Sequence, residues 1–147
     1  MRLRTVIALG PAGWMRVVRT GWVAMRVERS LRARPLDQTA ARFGLRLSFG
    51  RPDEVTDDLE FSREESVALD LALRTLAVGP FNSTCLRRAL VIGDILRDRS
   101  PLLRVGVAKT AGEVTAHAWV EIDGVALDPM ADREYLMTHE PRGPVET

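Results

Sequence analysis

Cys85 is the only cysteine of the chain, and His117 is one of its two histidines. The cysteine stands in Ser83-Thr84-Cys85-Leu86-Arg87-Arg88-Ala89-Leu90, where the pattern predicts the start of a helix. Thirty-two residues later the histidine opens His117-Ala118-Trp119-Val120-Glu121-Ile122, which reads as a strand, and Asp128 follows on the returning strand. The thiolate is the reactive form of a cysteine, and a helix N-terminus and a neighbouring imidazolium both favour it. A thiol, an imidazole and a carboxylate in this order supply an attacking group, a proton carrier and a group that orients the carrier. That is the set needed for acyl transfer.

The third member follows from hairpin arithmetic. With Asp123-Gly124 as a two-residue turn, Ile122 pairs with Val125, Glu121 with Ala126, Val120 with Leu127 and Trp119 with Asp128. Residues 117, 119 and 121 share a face, as do cross-strand partners, so Asp128 falls on the His117 side, diagonal to it at about 7–8 Å. Asp123 lies at the far end of the hairpin, about 20 Å away. Asp128 is therefore the expected orienting residue.

Each residue also has a plainer reading. A lone cysteine in a helix is often a small core side chain, a strand histidine is often only a polar surface group, and an aspartate before Pro129 can start a turn. The joint occurrence in a consistent order favours the chemical reading. His139 sits in a polar tail and is read as uninvolved.

Composition narrows the alternatives. One cysteine allows no intramolecular disulfide and no four-cysteine zinc site, and two isolated histidines add no metal-ligand spacing, so neither metal nor cofactor is expected. No glycine-rich phosphate loop is present. Residues 1–51 carry eleven arginines against Glu28 and Asp37, a net +9, whereas residues 52–147 carry a net −8. Such a split points to an acidic partner, or to the acidic half of the chain itself. No nucleic-acid motif accompanies the arginines, so nucleic acid is not expected. The short apolar run near the N-terminus is broken by Gly10-Pro11 and followed by Arg16 and Arg19, unlike a signal peptide. With no transmembrane stretch either, a cytoplasmic protein is expected.

The elements that must position the site are well punctuated. Pro11 opens a helix running to about Arg34, on which Trp14, Val18, Trp22 and Met25 form an apolar stripe with Val17 beside it. The stripe is expected to pack on the domain, with docking or membrane contact as the alternative. Pro35 stops that helix, a short one follows from Asp37 to about Phe43, and Gly44 ends it before a short strand around Leu45, Leu47 and Phe49. Residues 50–60 read as an acidic linker. Ser62 and Glu65 form a capping box for a helix to about Val78, with Leu69, Leu73 and Leu76 expected in the core. Ser83 or Thr84 is expected to cap the next helix, whose Cys85, Ala89, Ile92 and Leu96 share one inward face. Leu102 to Ala108 and the hairpin supply the strands. The fold class is α+β, with a basic helical segment over 1–61 and a catalytic core over 62–147.

Cys85-Leu86-Arg87-Arg88-Ala89-Leu90, Val105-Gly106-Val107 and His117-Ala118-Trp119-Val120-Glu121-Ile122-Asp123-Gly124 resemble the lasso-peptide leader peptidases, over residues 62–128. These are the stand-alone peptidase halves of the lasso maturation protein, with a transglutaminase-like, papain-related fold. The one departure is Ala89, where the family usually has serine. The resemblance implies a helix bearing the cysteine packed on an antiparallel sheet bearing His and Asp, with Cys85 as nucleophile, His117 as general base and Asp128 as orienting carboxylate. It implies a precursor peptide as substrate, a separate leader-binding protein that delivers it, and an asparagine-synthetase-like cyclase that closes a ring on the freed amine. The rivals are a transglutaminase-like acyltransferase or amidase, and a non-catalytic peptide-binding module.

Overall fold

Proline at the first helical position lacks only an amide that would have had no partner there, and Pro11 opens α1 (Pro11–Ala33) in this way. The structure, a computed structural model, describes residues 10–48, 59–77, 84–110, 113–127 and 136–137. The further elements are α2 (Leu36–Arg42), β1 (Arg46–Ser48), α3 (Arg63–Ala77), α4 (Cys85–Ile95), a 3-10 turn (Arg97–Arg99), β2 (Leu102–Thr110), β3 (Glu113–Ile122), β4 (Val125–Leu127) and β5 (Leu136–Met137). The fold is α+β, with helices layered on a mixed sheet. The acidic stretch expected as a linker lies largely outside the described residues.

The burial of α1 is the reverse of the expectation. Trp14, Val18, Trp22 and Met25 are exposed, while Thr20, Val23, Ala24, Val27 and Ser30 are buried. Small side chains on the inner face let α1 approach α2, α3 and α4 closely, and Ser30 Oγ meets Thr39 Oγ1 at 3.1 Å. Two tryptophans there would hold the helices apart.

The capping box forms as the pattern requires. The amide of Ser62 donates to Glu65 Oε2 at 2.8 Å, and that of Glu65 donates to Ser62 Oγ at 3.2 Å. In α3 the buried residues are Leu71, Ala72 and Leu76, with Leu69 partly buried. Leu73, expected in the core, faces solvent instead. Gly44 ends α2 with φ +81°, and a Cβ there would lie 2.6 Å from Arg97 Cβ. Glycine thus serves both the left-handed turn and the close approach of the 3-10 turn that follows α4.

In the sheet, β2 pairs antiparallel with β3 from Leu102↔Glu121 to Thr110↔Glu113. The other edge of β2 takes β1 in parallel over Leu102–Arg104 and then β5 antiparallel at Gly106 and Val107. β4 closes the far side of β3 in the expected register, Val120↔Leu127, Glu121↔Ala126 and Ile122↔Val125. Asp123 and Gly124 both have positive φ, 50° and 82°. This is the two-residue hairpin turn that Asp-Gly favours.

One core joins these layers. Ala118, Val120 and Ile122 of β3 and Leu103 of β2 meet Ala89, Leu90 and Ile92 of α4, and Val27 and Phe43 close the cluster from the helical side. Among the described residues no helix is long and apolar enough to cross a membrane.

Candidate active site

Cys85 is the first residue of α4, half-buried, with its thiol free. It packs on the edge of the core together with Leu86 and Val105. Ala89, Ile92 and Leu96 on the same helical face are buried, as the periodicity requires. Thr84, one of the two expected caps, is the N-cap by backbone position, but its side chain makes no capping hydrogen bond; Ser83, the other, lies outside the described residues. The first intrahelical hydrogen bond runs from the amide of Arg88 to Thr84 O at 3.0 Å. The amides of Cys85, Leu86 and Arg87 therefore precede it, and donors at a helix N-terminus suit a developing oxyanion.

The helix is aimed by its far end. A Cβ on Gly93 would collide with Leu45, so α4 presses there on the residue that leads into β1. Arg46 pairs with Leu102 and Leu102 with Glu121, which places the C-terminal part of α4 at that end of the sheet. From Gly93 back to Cys85 is about 12 Å of helix, and from Glu121 back to His117 is about 13 Å of strand. α4 packs along β3, and similar lengths of helix and strand lead back to the thiol and the imidazole.

They do not share a face. Ala118 and Val120 point into the core beneath α4, so strand parity sets His117 on the other side with Trp119 and Glu121. Among the described residues no hydrogen bond joins Cys85 to His117. The His117 and Trp119 rings stack, with centroids 5.9 Å apart and planes at 19°. Opposite His117 on β2 stands Gly106, which has no side chain to fill the space beside the imidazole. Asp128 and His139 lie outside the described residues. The hairpin register that leads toward Asp128 is in place as far as Leu127.

Two charged contacts that sequence reading missed support these elements. Arg87 Nε donates to Glu28 Oε2 at 2.6 Å, tying the first turn of α4 to α1. The hydrogen bond from Arg87 holds the Glu28 carboxyl below the usual range, and the nearby charges of Arg87 and Arg32 add to it. On the His117 face, Arg104 grips Glu121 with two prongs, Nε to Oε2 at 3.1 Å and Nη2 to Oε1 at 2.8 Å. Arg104 Nη1 also donates to Ser48 Oγ at 2.8 Å, so the pair spans β1, β2 and β3. Both side chains are buried. The signal for the second pair is positional, because Arg104 faces Trp119 in the register and stands diagonal to Glu121.

A groove of about 240 Å³ lies elsewhere, between α1, α3 and α4, with Arg16, Arg19, Glu64 and Asp94 on its walls. Asp94 is nine residues along α4 from Cys85, about 13 Å, and the groove belongs to the helical side of the molecule. No group of three potential metal ligands occurs among the described residues.

No curated protein and no solved structure shows significant similarity to the chain. The family model of the transglutaminase-like superfamily matches residues 13–138, which takes in Cys85, His117 and the helices and strands that carry them. Proteins of this fold are commonly cysteine proteases or acyltransferases. The match covers most of the chain, which therefore belongs to the transglutaminase-like superfamily.

Proposed function

We propose that the chain is a cysteine peptidase that removes the leader from a ribosomally made lasso-peptide precursor. The observation that carries this reading is Cys85 at the first position of α4, a helix packed along the strand that bears His117. The superfamily match supports thiol acyl chemistry, and the Cys-Leu-Arg-Arg and His-Ala-Trp-Val-Glu motifs support the leader peptidases within it.

In this mechanism, which requires the imidazole to reach the thiol from the other face of β3, Sγ of Cys85 attacks the carbonyl carbon at the leader–core junction as His117 takes the thiol proton. The tetrahedral oxyanion is held by the Cys85 amide. Collapse breaks the C–N bond, His117 returns the proton to the departing amine, and a thioester remains on Cys85. Water, deprotonated by His117, then releases the leader as a free acid. Asp128 orients the imidazole, and residues 62–147 supply this chemistry. A separate leader-binding protein delivers the precursor, and an asparagine-synthetase-like cyclase consumes the freed amine. A lone thiol of this kind fits a reducing cytoplasm.

The test is cleavage of a cognate precursor in the presence of its leader-binding protein, read by mass. Wild type releases leader acid; Cys85→Ala releases none. Asp128→Asn slows cleavage strongly, while Asp123→Asn leaves it near wild type because asparagine also suits that turn. Formation of an amide with an added amine instead of leader acid would identify an acyltransferase on the same fold. Cleavage by Cys85→Ala at the wild-type rate would refute thiol chemistry.

A further inference from the structure

We infer that the outward face of α1 is a docking surface for an acidic amphipathic helix of a partner protein. At about 100° per residue, Trp14, Val18, Trp22 and Met25 lie within about 80° of arc, opposite Val23 and Val27 on the buried side. Met15 borders them, and these five side chains are between 46% and 72% exposed. A row of two tryptophans, two methionines and a valine over three turns is too apolar to be left to water without a use.

The charge beside the row names the occupant. Arg29 and Arg32 continue the outward face one and two turns beyond Met25, so its first part is apolar and its end is cationic. Arg32 is paired with Glu28 at 2.8 Å, and on the groove side Arg19 meets Asp94 at 3.8 Å. Arg26 and Arg29 have no carboxylate among the described residues. The Arg26 guanidinium instead lies 4.6 Å from the Trp22 ring centre and 5.8 Å from that of the buried Phe43. That stacking holds Trp22 and the cation in a set arrangement before any partner arrives.

The residue types fit a protein partner. Tryptophan, methionine and arginine are enriched at protein interfaces and lysine is depleted, and the sole lysine of this chain is Lys109. A membrane-surface helix keeps a charged face opposite its apolar one and turned to water; here the opposite face is buried in the fold. A second copy docked by two-fold symmetry with the helices antiparallel would set each cationic end beside the start of the other α1, and residues 1–27 hold no carboxylate to meet it. A helix with large apolar anchors and a glutamate-rich end complements both parts of the face. The surface lies away from α4 and stands whether or not Cys85 is a nucleophile.

The probe is a fluorescently labelled synthetic helix with leucines on one stripe and glutamates beside it, titrated with the full chain and read by anisotropy. Saturable binding is expected, weakening as salt rises. Trp22→Ala and Arg29→Gln should each lower the affinity at least about ten-fold. Both positions are exposed, so melting temperature and alkylation of Cys85 should stay at wild-type values. Absence of saturable binding overturns the inference, as does equal binding of a lysine-for-glutamate or scrambled peptide, or unchanged binding by both variants. Uptake on phosphatidylserine vesicles that Trp22→Ala abolishes would assign the face to membranes, and a concentration-dependent dimer lost in that variant would assign it to self-association; either result replaces the peptide partner.

Discussion

Arg87 Nε lies 2.6 Å from Glu28 Oε2, joining the first turn of the cysteine helix to the middle of α1. The other oxygen of Glu28 holds Arg32 at 2.8 Å, and Arg87 Nη1 stands 3.5 Å from Thr84 Oγ1. The Thr84 side chain does not cap α4, and among the described residues this ion pair ties the turn that begins with Cys85 to α1. The basic segment is thus in direct contact with the turn that carries Cys85.

Replacing Glu28 with glutamine should slow acyl transfer at Cys85 several-fold with little change in melting temperature, because the pair is about one-third exposed. Arg87→Lys should retain part of the rate and Arg87→Met should not, since lysine keeps the charge but loses the geometry of the guanidinium. A purely stabilising contact would instead lower the melting temperature and leave the rate per folded molecule intact. Wild-type rates in both Glu28→Gln and Arg87→Met would dismiss the positioning role.

The position of His117 sets a second expectation. Cys85 begins the helix that packs along β3, while strand parity turns His117 to the face of β3 opposite Ala118 and Val120. If the imidazole reaches the thiol during catalysis, His117→Ala should slow alkylation of Cys85 by iodoacetamide at neutral pH. The Trp119 ring stacks on the imidazole, so Trp119→Leu should slow it to a smaller degree. A labelling rate identical in wild type and His117→Ala would take His117 out of the mechanism.

What was legible in the sequence is what neighbours in sequence decide. Pro11, the Ser62–Glu65 capping box and the Asp123-Gly124 turn all act within three or four residues, and each formed as its local chemistry requires. Periodicity showed that α1 is a helix with an apolar stripe, but not that the small residues on its other face bury it; that depends on how closely α2, α3 and α4 approach. For the same reason the helical period alone does not separate exposed Leu73 from buried Leu76. In the candidate site, the residue types and the helix and strand that carry Cys85 and His117 were readable. The contacts that hold those elements were not, because Glu28 and Arg87 are 59 residues apart and Arg104 meets Glu121 only once the β2–β3 register is known.

The Arg104–Glu121 pair makes a stability prediction of its own. Both side chains are at most 5% exposed, so removing one partner leaves the other charge in a dry setting. Glu121→Gln should cost about 3–5 kcal/mol in chemical denaturation. The double change Arg104→Met with Glu121→Leu removes both desolvation penalties and should recover most of that loss. A single variant costing less than about 1 kcal/mol, or a double variant as unstable as the single, would contradict this account of the pair.

The pair of Glu65 and Arg99 predicts how stability responds to acid. Arg99 donates to both oxygens of Glu65, at 2.9 and 2.8 Å, and to Glu60 O at 3.0 Å, so it ties the start of α3 to the 3-10 turn before β2. The hydrogen bond from Arg99, with that from the Ser62 amide, lowers the Glu65 carboxyl from 4.5 to about 2. In the unfolded chain the group takes up its proton near 4.5; in the folded chain it resists until about 2. The stabilisation is therefore complete above about pH 5 and is lost as pH falls from there toward 2. Glu65→Gln cannot carry the charge at any pH. The melting-temperature gap between wild type and Glu65→Gln should be constant from pH 7 to about pH 5 and close progressively between about pH 4.5 and 2. A gap that persists undiminished at pH 2, or closes entirely above pH 5, would show that the carboxylate of Glu65 is not what this contact depends on.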